Sequence, residues 1–226
     1  MDDNTTAHPA SAYEDEVRRT IPFHAVILEQ AIDAALAVVP SPARWLDTGC
    51  GPGRLVELAR ARCPQATFFL ADPAVAMLDL ARARLPDLPA DRFVLAPSHA
   101  LPDLGAFDVI TAVQCHHYYP EESGREDAVR RCRALLRPGG ALVVFENVRA
   151  HSEVGHALQR RRWATWQRAQ GRDEATVEAQ LGREGTKFFP LRIRDHAAML
   201  ERVGFATVEL VWRAYGQAGF LAIAPG

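Results

Sequence analysis

Lysine is almost absent from this chain of 226 residues: of its 26 basic residues only Lys187 is a lysine, and the arginines run along the whole length, which reads as a genome bias and not as a binding patch. A surplus of one charge is missing too. The 26 basic residues face 28 acidic ones for a net charge of −2, so nothing in the total draws the chain toward nucleic acid or an acidic membrane. Cysteine is scarce and unpatterned: Cys50, Cys63, Cys115 and Cys132 form no C-x-x-C pair and no metal-ligand spacing, so we expect free thiols, no metal and a reducing cytoplasm. No apolar run approaches the roughly 20 residues of a membrane span. The start, Met1-Asp2-Asp3-Asn4, is acidic and polar, unlike a signal peptide, which again favours a cytoplasmic location. Internal repeats and low-complexity tracts are lacking.

What is present is an ordinary globular composition, 48% hydrophobic and 24% charged, on a chain long enough for one domain with a sizeable core. Residues 1–12 are polar and expected to be a disordered tail, with a single domain over 13–226. A helical segment starts at Tyr13, carries Val26, Ile27, Ala31, Ala35 and Val38 mostly at three- and four-residue steps, and stops at Pro40-Ser41-Pro42. Strands then alternate with helices: strands near 43–48, 66–71, 92–96, 107–113 and 141–146, helices near 53–62, 74–84 and 124–137. That rhythm predicts an α/β fold with a mostly parallel sheet covered on both faces. Ser123 and Glu126 have the spacing of a capping box at the start of the last of these helices, and Pro138-Gly139-Gly140 is expected to end it. The rhythm breaks over 151–189, a polar, Arg- and Trp-containing stretch of helical character. A helix near 193–203 and an antiparallel pair, 205–213 and 218–224, close the chain. Arg160-Arg161-Arg162, near Trp163, Trp166 and Arg168, could suit an RNA backbone, but near-neutral net charge favours a solvated helix face, so no nucleic acid partner is expected.

The chemistry concentrates in Trp45-Leu46-Asp47-Thr48-Gly49-Cys50-Gly51-Pro52-Gly53, a buried strand running into a glycine-rich turn and a helix. Glycines at alternate positions remove the Cβ atoms that keep a ligand from the backbone and take the positive φ such a loop needs. The spacing is not that of the dinucleotide fingerprint G-x-G-x-x-G, because Arg54 stands at its sixth position. A second strand, Phe68-Phe69-Leu70-Ala71-Asp72, ends in a carboxylate able to accept both hydroxyls of a ribose, or to start the next helix ahead of Pro73.

These residues resemble the class I S-adenosylmethionine (SAM) dependent methyltransferases. Phe107-Asp108-Val109-Ile110-Thr111-Ala112-Val113 is similar to that superfamily's fourth strand, and Leu135-Leu136-Arg137-Pro138-Gly139-Gly140-Ala141-Leu142-Val143-Val144 to its turn into the fifth. The resemblance implies a Rossmann-like seven-stranded sheet, mostly parallel with an antiparallel last hairpin, and SAM as cofactor. It implies cofactor contacts from His24, Asp47, Gly49, Cys50, Gly51, Gly53, Asp72, Pro73, Ser98 and Val113. The superfamily often has an acid after the third strand for the adenine; this chain has Ala96-Pro97-Ser98-His99, leaving Ser98 to supply the contact, and Met77 and Leu78 either flank the base or belong to the core. Polar side chains after the fourth strand, Gln114 to Tyr119, fall beside the transferred methyl, so His116 or His117 is a candidate general base. Tyr118, Arg149, Trp163 and Arg183 are candidate contacts to the substrate. The stretch 151–189, over the ligand edge of the sheet, is a candidate lid and homodimer contact.

A closer resemblance in layout is to the carboxy-SAM synthase family, which makes the carboxylated cofactor used in wobble-uridine modification of tRNA. It rests on Val17-Arg18-Arg19-Thr20-Ile21-Pro22-Phe23-His24, Glu146, the long segment and Leu200-Glu201-Arg202-Val203-Gly204-Phe205. That family has Tyr in place of His24 and Asn in place of Val113, with Arg183 the counterpart of its carboxylate-binding arginine. Valine offers a carboxylate no hydrogen bond. Methyl transfer to an O, N or S atom of a small molecule is therefore favoured, with a synthase-like enzyme and a SAM-binding subunit without chemistry of its own as alternatives.

Overall fold

Alternate residues of the strand that leads into the glycine turn, β1 (Arg44–Thr48), divide between two cores, Trp45 with one and Leu46 with the other. The computed structural model describes residues 12–226, and the tail expected over 1–12 lies, but for Ala12, outside the described residues. β2 (Thr67–Asp72) repeats the division, Phe68 and Leu70 against Phe69 and Ala71. Strands buried on both faces read as unbroken apolar runs, which is why these two stand out in the sequence.

The first core is covered by α2 (His24–Val38), α3 (Arg54–Arg62) and α4 (Val75–Arg84) through Ile27, Ala31, Val56, Ala59, Leu78 and Ala81. The second is covered by α5 (Glu122–Ala134) and α8 (Ile193–Val203) through Val129, Cys132, Met199 and Leu200. Between them lies one sheet made with β3 (Phe93–Leu95), β4 (Phe107–Val113), β5 (Leu136–Arg149), β7 (Thr207–Ala214) and β8 (Gln217–Ile223), in the order β3-β2-β1-β4-β5-β8-β7. β8 is antiparallel to both neighbours, as the late hairpin requires. The expected seven strands are joined by an eighth, the two-residue β6 (Leu191–Arg192), which extends β5 in parallel. Between β1 and β4 the strand order reverses direction, which opens a crevice at the carboxyl ends.

Two local expectations are corrected. α5 is capped by Glu121 in extended conformation, without a side-chain hydrogen bond to its amides, and Ser123 sits inside the first turn with its hydroxyl on the Glu121 carboxylate; no capping box forms. The helix ends at Ala134, because Leu136 already pairs with Phe107, and Pro138-Gly139-Gly140 forms an irregularity within β5 before pairing resumes at Ala141. The stretch 151–189 folds as α6 (Glu153–Ala169) and α7 (Glu174–Leu181), capped by Ser152 and Asp173. It is tied to the rest by Trp163 Nε1, which donates to the Thr20 carbonyl of α1 (Tyr13–Thr20), and by the Phe189 amide, which donates to the His117 carbonyl. Arg160 and Arg168 pair with Glu184 and Glu174, so half of the arginine-rich face is neutralised within the segment.

Candidate functional site

Gly49, Gly51 and Gly53 all have positive φ, +64°, +52° and +77°, as a strand-to-helix turn at this place demands. Their surroundings differ. A Cβ on Gly49 would strike Cys115, and one on Gly51 would meet nothing closer than the Tyr13 ring, at 3.9 Å. A Cβ on Gly53 would press on Leu70, Ala81 and Leu85. Gly53 therefore packs helix against strand and lines none of the cavities described below, which separates it from the other two as a cofactor contact.

Asp72 ties the turn to the end of β2. Its Oδ2 accepts the Gly51 amide and its Oδ1 the Ala74 amide, each at 2.9 Å. The helix cap falls on Ala74 and not on Asp72 itself. Burial raises the pKa of the Asp72 carboxyl while the two amides pull it back. Each oxygen keeps a lone pair for a ligand hydroxyl.

Over this edge lies a cavity of about 250 Å³, lined by Gly49, Gly51, Asp72, Pro73, Met77 and Ser98 on one side and by Val113, Gln114, Tyr118 and Tyr119 on the other. Ser98 is buried with its hydroxyl 2.8 Å from that of Thr48, and Leu78 belongs to the core. A second cavity, of about 120 Å³, continues past Gly49 to Asp47, Cys50, Arg18 and His24. Burial raises the Asp47 carboxyl to about 7 against the lowering effect of the Thr111 hydroxyl at 2.7 Å, with Asp72 adding repulsion. Burial and Arg18 lower His24 to about 4. A third, small cavity of about 30 Å³ lies toward α6 and α7, where Tyr118, Asn147, Trp163, Gln180, Arg183 and Phe188 meet.

The two histidines after β4 are not in these cavities. His116 is fully buried with neither ring nitrogen partnered among the described residues, and burial lowers it to about 4. His117 puts Nδ1 2.5 Å from Glu146 and Nε2 3.2 Å from the Asn147 amide. Glu146 also accepts the backbone amides of both histidines, at 2.9 Å each. Burial pushes its carboxyl up, but His117 above all, with His116 and His196, brings it down to about 2. The pair is thus a brace for the turn that carries Tyr118, and neither imidazole reaches the cavity as a base. Arg149 lies outside as well: it is partly exposed and paired with Glu153, because β5 carries it past the cleft. Tyr13 and Gln114 line all three cavities. Sequence reasoning missed Tyr13, which only the chain's path brings to the crevice, and placed Gln114 in the segment after the fourth strand without giving its side chain a role.

Comparison with known proteins agrees with this geometry. Residues 46–142 match the family described as "Methyltransferase domain". The chain is 27% identical to a carboxy-S-adenosyl-L-methionine synthase of Wolinella succinogenes, over 94% of this chain and 90% of that protein. It is 33% identical to a trans-aconitate 2-methyltransferase of Methylobacterium radiotolerans, over 79% of this chain and 64% of that protein, so the chain spans about two thirds of the longer relative. Among solved structures, SAM-bound CalS10, an amino pentose methyltransferase from Micromonospora echinaspora, superposes with a TM-score of 0.65 at 19% identity, covering 94% of this chain and 96% of its own.

Proposed function

We propose that this chain, which belongs to the class I SAM-dependent methyltransferases, transfers a methyl group to a small-molecule acceptor held between the sheet edge and α6–α7. The observation that carries the reading is the continuous ligand edge from Ser98 and Asp72 over Gly49 and Gly51 to Asp47. Its parts fit the cofactor: an open glycine for the backbone approach, a strand-end carboxylate with spare lone pairs, and a second buried acid at the far end for an ammonium group.

SAM, when bound, supplies an electrophilic methyl on a sulfonium, so the protein has mainly to align the nucleophile and keep water out. Asp72 holds the ribose, and Met77, Pro97 and Ser98 flank the adenine. Asp47, Arg18 and His24 face the amino-acid end. Tyr13 and Tyr118 close the space over the transferred group. The end of the cleft toward α6 and α7, with room for little more than one water, is lined, among the described residues, by Arg183 with Gln114, Asn147 and Gln180 and by no carboxylate or imidazole, so it takes the polar tip of an acceptor whose body lies in the larger cavity. An acceptor that must lose a proton has no base there, whereas an already ionised carboxylate has a cation and amide donors to meet it. We therefore assign the acceptor to small carboxylic acids, in keeping with the trans-aconitate relative. In this reading residues 151–189 form the substrate lid of a single domain and a homodimer contact, and the unpaired thiols suit the cytoplasm.

The synthase-like alternative is favoured by the even coverage of that relative and by Arg183 in the cavity. Against it, Val113 lines the cofactor cavity, where it would leave a carboxylate oxygen unpaired at about 1–3 kcal/mol. Mass spectrometry of the ligand extracted from purified protein is expected to find SAM or its demethylated product; carboxy-SAM would replace our reading with the alternative. Calorimetry of Asp72→Ala is expected to show SAM binding weakened roughly ten- to a hundredfold, the loss of about 1.5–3 kcal/mol for charge-assisted hydrogen bonds. Unchanged affinity would remove Asp72 from the site.

A further inference from the structure

Gln114 combines three properties that a merely structural side chain has no reason to combine. Its backbone is left-handed, with φ +56°, a conformation unfavourable for a residue with a long side chain. The strain is held in place by its amide, which donates to the Phe145 carbonyl at 2.7 Å and so locks the residue to β5 just beyond the end of β4. Its side chain is 8% exposed, yet neither Nε2 nor Oε1 has a partner among the described residues. A buried amide in that state carries its full desolvation cost until something binds it. Finally, it lines the two cofactor cavities and the acceptor cavity, a place it shares, among the described residues, only with Tyr13.

We propose that Gln114 is a cofactor ligand, its side-chain amide holding the amino-acid end of SAM at the point where the cofactor and acceptor cavities meet. The inference rests on the SAM reading above and gives a role to a side chain that the sequence left without one. The chemistry matches: an amide offers both donors and an acceptor, and the amino-acid end of the cofactor offers a carboxylate and an ammonium group. Asp47, Arg18 and His24 line the same cavity; Arg18 brings a cation and Asp47 an acid, while His24, lowered to about 4, is a neutral imidazole, which leaves the amide to set orientation. The left-handed backbone is kept at a residue whose side chain lines the two cavities that Gly49 and Val113 also line. The strain is the cost of that placement.

Two probes separate this role from others. S-adenosylhomocysteine carries the amino-acid end, and 5′-methylthioadenosine lacks it while keeping the nucleoside. In Gln114→Leu and Gln114→Gly, affinity for S-adenosylhomocysteine is expected to fall at least tenfold by calorimetry, with affinity for 5′-methylthioadenosine within twofold of wild type. The glycine variant is also expected to keep or raise the ligand-free melting temperature, because glycine adopts positive φ without strain; it answers the question even if the leucine variant fails to fold. Unchanged S-adenosylhomocysteine affinity, the result expected if Gln114 serves only the acceptor, overturns the proposal, as does an equal loss for both probes. If wild-type protein bound neither probe, the SAM reading itself would fall, a result distinct from failure at Gln114 alone.

Discussion

Glu146 is a carboxylate from which water has been almost wholly removed, 1% exposed, and it survives as an anion because three donors are aimed at it. Both of its oxygens accept backbone amides, and one also meets the His117 ring. Removing the charge while keeping the shape should therefore be costly. Glu146→Gln turns an NH₂ group toward amides that need an acceptor, and breaking a buried pair from one side typically costs about 3–5 kcal/mol. Urea unfolding at pH 7 should show that loss, a large share of the roughly 5–15 kcal/mol that holds a domain together. A change below about 1 kcal/mol would mean that the brace contributes little. The role of Asp72 is similarly double: it positions Gly51 and Ala74 and keeps lone pairs for a ligand, so the melting temperature of Asp72→Ala must be read beside its cofactor affinity.

Among the elements, α6 is joined to α1 through Trp163. Trp163 is 9% exposed; its indole N–H donates to the Thr20 carbonyl at 2.6 Å and its ring meets Phe188 edge-on at 6.4 Å. It joins α6 to α1, the helix whose Tyr13 lines the cavities. Trp163→Ala removes both ends of this link, at about 3–5 kcal/mol for a large buried aromatic. Trp163 lines the cavity we assign to the acceptor and not the two we assign to the cofactor, so KM for the acceptor should rise at least tenfold while SAM affinity changes less than threefold. A larger loss for SAM than for the acceptor would show that the segment belongs to the cofactor site.

At the scale of the whole molecule, buried histidines make the fold sensitive to acid. His116 and His196 are lowered to about 4 and about 3, chiefly by burial, from an unfolded value near 6.5. Below 6.5 the unfolded chain takes up protons that the folded one refuses, so stability is intact above that pH and falls as pH drops from 6.5 toward 4. Glu146, lowered to about 2, acts in the same direction below its unfolded value near 4.5, because the unfolded carboxylate protonates first. Between pH 7 and pH 5 each histidine should remove about 1–2 kcal/mol. A urea midpoint equal at the two pH values would contradict this assignment, and His196→Phe, which can stack on Phe220 in the same place, should flatten the dependence.

The order of strands and helices, the glycine turn and the strand-end acid were legible in the sequence because each is a local pattern: apolar runs for strands buried on both faces, and glycine where a positive φ is unavoidable. Asp47, Gly49, Gly51, Asp72, Pro73, Ser98 and Val113 could be placed at one crevice because they follow from strand ends. Capping at Ser123 could not be judged locally, since the extended backbone of Glu121 moved the start of the helix forward. Nor could the fate of the histidines, because residues adjacent in sequence on a short turn diverge in three dimensions. The amides of His116 and His117 and the His117 ring meet Glu146 on the neighbouring strand, while Gln114 and Tyr118 line the cavity. Which side chain faces the cleft depends on the backbone angle at Gln114 and on a carboxylate thirty residues away, and both are set only when β4 and β5 pair.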